Sequence, residues 1–247
     1  MKKNIPRIYI SQSLKVHQKV LLSHCNHLHY IKKVLRMNIE EKLEIFNNTN
    51  SIFLSKITKI EKKIIELKIL KKEVKNIESS LIIHLGQIIS KSEKMNFSIQ
   101  KSVELGVNSI TPLCFENDNF NKKTRYSLKK DKRWKNIAIA ACQQCRRNII
   151  PKINDLENIF SWCKKIDKKS TKIVFHPQST LTINNLKKNI KNIFLLIGSE
   201  RGFSSSEIKK IIQYEFIVLQ LGPRILRAET AVIASITALQ IKFGDLS

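Results

Sequence analysis

Before about residue 72, apolar and polar positions alternate in short runs: RIYI, LEIF, SIFLSKI and IIELKIL, the last setting Ile65, Leu67 and Ile69 against Glu66 and Lys68. Successive side chains on a strand point to opposite faces, so this period of two predicts half-buried strands, and several short ones in succession imply a compact β barrel. Between them HYIKKVLRM reads as a short helix carrying Lys32, Lys33 and Arg36, and KKEVKNIESS (71–80) reads as a linker.

From LIIHLG onward the rhythm changes to strands alternating with helical periods, the pattern of a parallel sheet covered on both faces. SEKMNFSIQKSVELG predicts a helix with Ser92 as its N-cap and Gly106 just past its end. SITPL follows as a strand, a helix from Trp134 to Arg147 stops before Pro151, and KIVFHP and NIFLLIG supply two more strands. The expected organisation is a small β domain over 1–72 and an α/β domain over 73–247.

Where the six glycines fall narrows the chemistry: 86, 106, 198, 202, 222 and 244. In FLLIGSERGFSSSEI an apolar strand ends at Gly198, a polar loop follows, and Ser204 with Glu207 opens a helix as a capping box. FIVLQLGPRILRAETAVIASITALQ repeats the theme with a Gly222-Pro223 turn and then Arg224, Arg227 and Glu229. Ligands in open α/β sheets bind outside the carboxyl ends of strands, and glycine lets backbone groups approach a ligand closely, so two such loops predict a cofactor pocket. Neither GxGxxG nor GxxxxGK[ST] occurs. Either loop alone reads equally well as strand termination and helix capping, and an acid in a first helical turn is favoured by the dipole whatever the chemistry.

Charge points to the partner. Lys+Arg number 45 against 20 Asp+Glu, a net +25. Residues 1–76 hold 17 basic and 6 acidic side chains, the denser share, which marks the first domain for docking to a polyanion; nucleic acid is favoured over a membrane because no apolar stretch reaches spanning length. The blander reading is a solvated basic surface. Five scattered cysteines and no export signal lead us to expect a reduced, cytoplasmic protein without disulfides. In CQQC, Cys142 and Cys145 fall on an apolar helical stripe with Trp134, Ile137, Ala138 and Ala141, which favours core packing over metal; His24, Cys25, His27 and His29 cannot all point inward from one regular element, and no metal is expected.

LLIGSERGFSSSEI followed by LQLGPRILRAETAVIASITALQ resembles the two signature loops of the SPOUT-superfamily methyltransferases that modify uracil N3 in 16S ribosomal RNA, the RsmE-type family. The likeness extends over nearly the whole chain, through IPRIYI, VLRM, HLGQIISKSEKMNFSIQKSVELGV, IAIAACQQCRRN and FGDLS. It implies an N-terminal PUA-like β barrel, a C-terminal α/β domain tied in a deep trefoil knot, S-adenosylmethionine as cofactor, the small ribosomal subunit as partner and a homodimer, with no DNA or membrane partner. The last helix, apolar or small on nearly all faces, independently calls for burial on more than one side, in a dimer or inside the monomer. Carried over by motif, Leu196, Ile197, Gly198, Glu200 and Gly202 fall in the first cofactor loop, and Leu221, Gly222, Ile225, Leu226 and Arg227 in the knot loop, with His176 as a further wall. Arg227, Arg224 and Glu229 are the catalytic candidates, with Glu200 as the other potential proton acceptor. Arg7, Lys32, Lys33, Arg36, Lys94 and Arg147 are the RNA-contacting candidates. A ribose 2′-O-methyltransferase of the same superfamily and a non-catalytic ribosome-binding module are the alternatives.

The chain departs from the family pattern in three places. The first loop has Ser199 and Arg201 in place of the proline and one glycine of the family's usual Gly-Pro-Glu-Gly-Gly, so Arg201 is expected to be strained, or the loop reshaped, if its position needs a positive φ. Gln143 and Arg146 replace a glutamate and a helix-ending glycine, and Tyr30 stands where a histidine often precedes VLR.

Overall fold

The computed structural model describes residues 5–115 and 120–246. Two compact units emerge: residues up to Glu78 together with Cys142–Ile149, and Ser79–Ala141 together with Ile150 onward.

In the first unit β1 (Arg7–Tyr9), β2 (Lys19–Leu22), β3 (Lys42–Phe46), β4 (Ser51–Ile60) and β5 (Ile65–Val74) form one sheet in the order β1-β3-β4-β5-β2. β1 runs parallel to β3 and the other pairs are antiparallel. The alternation read from the sequence is the burial pattern: Phe53, Ile57, Ile65, Leu67 and Ile69 join Ile8, Leu43 and Ile45 in one core. Two register shifts between β4 and β5 bend the pair, as bulges do. β2 is missing from the sequence reading because Leu21, apolar but 63% exposed, stands between the inward Val20 and Leu22 and hides the alternation. The expected linker at 71–80 is also corrected. β5 continues through Val74 with exposed side chains, held by ladder bonds opposite Ser51–Leu54, which no burial pattern reports. The expected helix over HYIKKVLRM is a short α-turn, α1 (Cys25–His29), running into a π-turn at Tyr30–Val34.

Arg7 and Arg147 do not reach the surface. Arg7, 5% exposed, donates to Asn148 Oδ1, lies 3.9 Å from Glu44 and caps the Phe46 ring at 4.4 Å. Arg147, 4% exposed, donates from Nε to Glu78 at 3.0 Å. A guanidinium taken out of water is stable only when paired and hydrogen-bonded, so both hold the 142–149 segment in place rather than presenting charge to RNA. Arg146, where the family has glycine, does adopt the left-handed conformation (φ 69°), with its guanidinium 3.2 Å from Glu44. Cys142 is buried, which pushes its thiol up to about 12, and it donates to the Ile149 carbonyl, as expected of a packing residue.

The second unit is a parallel sheet. β6 (Ile82–Ile88), β7 (Ser109–Cys114), β8 (Lys152–Ile153), β10 (Thr171–Phe175), β11 (Asn192–Ile197) and β12 (Ile217–Leu219) take the order β12-β10-β11-β6-β7-β8, and the short β9 (Glu157–Asn158) pairs with β7. Helices α2 (Ser92–Glu104), α3 (Phe120–Cys145), α4 (Ile159–Lys165), α5 (Ser205–Gln213) and α6 (Ala228–Phe243) connect or follow them. Ser92 is the first helical residue of α2, not its cap; Lys91 takes that position without a side-chain bond. Ser204 and Glu207 do form the expected capping box on α5. Among the described residues no helix is long and apolar enough to cross a membrane.

Gly86 sits in the middle of β6, and a Cβ there would lie 2.6 Å from one Trp162 ring carbon and 2.8 Å from Leu113. Both neighbours are packed in the core, at 5% and 0% exposure, so neither can swing clear. Gly86→Ala therefore destabilises this unit by about 1–3 kcal/mol, a fall in Tm of roughly 2–12 °C followed by tryptophan fluorescence.

Candidate active site

β10, β11 and β12 end side by side, and the segments leaving them enclose a cavity of about 270 Å³. His176 and Pro177 follow β10; Ile197 to Phe203 follow β11; Leu221, Gly222, Arg224, Ile225 and Leu226 follow β12; Ala228 and Ala231 close it from α6. The two glycine-bearing loops, more than twenty residues apart in the chain, thus wall one space. Three expected residues do not reach that wall. Leu196 is fully buried in the core beneath it, because the strand period turns it to the opposite face from Ile197. Arg227 is the N-cap of α6 with an exposed side chain, and Glu229 lies two residues on, in the first turn, outside the cavity. Phe203, Ala228 and Ala231 were missed. Phe203 had a legible signal, a lone aromatic in a polar loop, whereas two alanines at a helix start carry none.

The loops are shaped for close approach to a ligand. The Gly202 N–H donates to Ser199 O at 2.9 Å, closing a tight turn in which Gly202 has φ 69°. Gly222 has φ 106°, and at both glycines the space where a Cβ would stand is open. The left-handed position is Gly202 and not Arg201, so the expected strain at Arg201 is absent. Arg201 instead lays its guanidinium over the Phe115 ring at 4.6 Å and pairs in a fork with Glu207, at 3.0 and 2.7 Å. His176 is fixed from both ends, its N–H donating to Leu219 O at 2.8 Å and its Nε2 lying 3.3 Å from Phe203 O. Ile225 is 87% exposed on the cavity wall, an apolar side chain with nothing of the chain's own over it. Apolar walls, backbone donors and acceptors from glycine turns, and one carboxylate, Glu200, suit a flat heteroaromatic ring with a polar edge and a cationic tail.

Burial alone would raise the Glu207 carboxyl, but the Arg201 fork and the Ser204 N–H outweigh it and hold Glu207 below its ordinary 4.5. A depressed carboxyl contributes stability above its unfolded pKa and loses it as pH falls through the folded value. Glu207→Gln accordingly lowers Tm at neutral pH, and the gap to the parent chain narrows as thermal melts are taken below pH 4.5.

On the far side of the first loop, Lys94 from α2 lies 3.6 Å from Glu200 and 3.7 Å from Glu229. The Lys91 N–H donates to Glu200 Oε1 at 3.4 Å. Burial pushes Glu200 upward, but bonds from its own N–H and that of Lys91, with the Lys94 charge, bring it below the ordinary carboxylate range. Glu229 Oε2 is buried and accepts no hydrogen bond.

A family model described as an RNA methyltransferase domain matches residues 77–240, and one described as an RNA methyltransferase PUA domain matches 27–70. The chain is 62% identical over 247 residues, all of both proteins, to ribosomal RNA small subunit methyltransferase E of Buchnera aphidicola from Schizaphis graminum. It is 58% identical to the protein of that name from the Acyrthosiphon pisum strain, over 98% of this chain and 96% of the relative. Among solved structures it resembles a Legionella pneumophila methyltransferase in complex with SAM, at 36% identity, TM-score 0.93 and coverage of 99% and 100% of the two chains. A Neisseria gonorrhoeae ribosomal RNA small subunit methyltransferase E bound to S-adenosyl methionine follows at 31% identity, TM-score 0.91 and the same coverage. With the site geometry, these likenesses mean that the chain belongs to the ribosomal RNA small subunit methyltransferase E family.

Proposed function

We propose that the protein transfers a methyl group from S-adenosylmethionine to N3 of a uridine in 16S ribosomal RNA of the small subunit. The observation that carries this reading is the single cavity walled by both glycine turns, with the Ile225 side chain left open on it. The residues fit the donor: Ile225 and Leu226 would cover the adenine, backbone groups at Gly198, Gly202, Leu221 and Gly222 would read its edge, and Glu200 offers negative charge to a sulfonium. Two of the relatives are solved with this donor bound.

When bound, the donor supplies an already activated methyl carbon. The chain's own residues must manage the acceptor, because uracil N3 carries a proton and is a poor nucleophile until that proton leaves. N3 bonds to the methyl carbon as the carbon–sulfur bond breaks, and the N3 proton passes to a carboxylate. We assign the proton to Glu229, one oxygen of which accepts no hydrogen bond; the bonds to Glu200 hold it ionised and make it a weaker base than an ordinary carboxylate. Arg227, with Arg224 on the cavity wall, would stabilise negative charge developing on the uracil carbonyl oxygens. N3 is hidden by Watson–Crick pairing, so the target is unpaired or extruded.

The first unit would dock the RNA backbone. Lys33 and Arg36 are exposed there, whereas Lys32 is partly committed to the Glu61 and Lys62 carbonyls. Deep knotting of the second unit is supported by how its ends meet. The chain leaves the edge strand β12, bridges Thr182 from the 176–191 connection at Gln220, and returns as α6, whose Lys242 donates to Ile183 O at 2.6 Å. A homodimer is supported by α6, rich in apolar and small residues, where Ile241 remains 53% exposed. The protein would act in the cytoplasm on assembled small subunits.

The test is transfer of radiolabelled methyl from S-adenosylmethionine to small subunits lacking the modification, with the product mapped to base or sugar. Label on uracil N3 supports the reading, label on a ribose 2′-oxygen makes the protein a ribose methyltransferase, and no donor heat by calorimetry leaves an RNA-binding module.

A further inference from the structure

A second cavity, of about 460 Å³, adjoins the first. Ile89, Ser90, Lys91 and Lys94 line one side of it, at the end of β6 and the start of α2; Ser199, Glu200 and Arg201 line the other. Those last three residues also line the first cavity, so the two spaces adjoin at one short stretch of loop. We propose that this second cavity is the acceptor subsite, which receives the extruded pyrimidine nucleotide with a backbone phosphate against Lys91 and Lys94.

The inference rests on the methyl-transfer reading above and gives it a location. Transfer needs the reacting atoms within roughly 3–3.5 Å, so the acceptor must occupy a space that directly adjoins the donor's, and these two cavities meet at Ser199, Glu200 and Arg201. The second cavity has the volume of a small-ligand site and lies beyond the carboxyl ends of β6 and β11, where open parallel sheets bind their ligands. Its composition matches a nucleotide: two lysines for phosphate, the Ser90 and Ser199 hydroxyls for polar edges, and Ile89 for the face of a base. The lysines are placed differently. Lys91 is exposed, whereas Lys94 is shared between Glu200 and Glu229, which orients its ammonium at the loop where the two spaces adjoin. Glu229, through Lys94, is thereby tied to the rim of the acceptor space rather than to the donor wall.

The deciding variant is Lys91→Glu, which puts an acid at a helix N-terminus, where the fold tolerates it, and reverses charge at the cavity. Three quantities are measured on the full chain: S-adenosylmethionine Kd by calorimetry, binding to small ribosomal subunits as a function of salt, and KM for those subunits. We expect the donor Kd unchanged, subunit affinity and KM each worse by about tenfold or more, and the slope of log K against log salt reduced by about one phosphate contact. Lys94→Arg retains binding and Lys94→Ala weakens it. An unchanged subunit affinity and salt slope in Lys91→Glu overturns the proposal, as does a donor Kd that weakens by the same factor as subunit binding. If the parent chain binds donor and subunits but transfers no methyl, the proposed reaction fails, while the two binding measurements still decide the subsite.

Discussion

Replacing Arg227 with alanine lowers the rate of methyl transfer by roughly two to three orders of magnitude, about 2.7–4 kcal/mol of transition-state stabilisation, and leaves donor affinity nearly unchanged. The split follows from where the side chain stands. Arg227 is exposed, lies off the donor cavity wall, and makes no side-chain cap bond, so its removal disturbs neither the donor's contacts nor the start of α6. On the proposed reaction its charge acts where negative charge would develop, on the carbonyl oxygens of a uracil losing its N3 proton. Single-turnover rates at saturating donor and small subunits isolate that step. Equal losses in rate and in subunit affinity would make Arg227 a docking residue. Arg224→Ala should behave differently, weakening donor binding as well, because Arg224 does line the cavity.

Ile225→Asp should abolish useful donor affinity while the protein stays folded. The side chain is 87% exposed, so the fold gives up almost nothing when it is replaced. The bound donor, by contrast, loses an apolar cover of about 1.5–3 kcal/mol and buries a carboxylate without a partner, which costs more again. The donor Kd should rise by at least about a hundredfold, read by calorimetry, with the far-UV spectrum and Tm of the free protein unchanged. Ile225→Leu should bind nearly normally. A Kd for the aspartate variant within a few-fold of the parent would mean that the 221–226 loop closes over the donor some other way.

Much of this was legible before any coordinates. Alternating Ile65, Leu67 and Ile69 placed a strand because burial on one face is what that pattern encodes, and the Ser204 to Glu207 capping box is a local arrangement complete within four residues. Gly198, Gly202, Leu221, Gly222, Ile225 and Leu226, from the two loops the sequence singles out, all line one cavity. Leu196 did not, although the strand period alone could have separated it from Ile197.

The rest depended on long-range pairing. Arg7 and Arg147 look like any surface arginines in a basic chain, and only folding brings Glu44, Asn148 and Glu78 to them, turning free charge into buried, paired charge. Lys94 was a basic residue on a helix until α2 met a loop and the start of α6, both more than a hundred residues away, and set its ammonium between Glu200 and Glu229. By itself, then, the sequence determined the alternating strands, the Ser204–Glu207 cap and the two glycine turns, because each is set by neighbours along the chain. Tertiary structure alone decided which charges face solvent, which face one another, and that two separated turns enclose one cavity, because electrostatic partners and cavity walls are matters of distance in space.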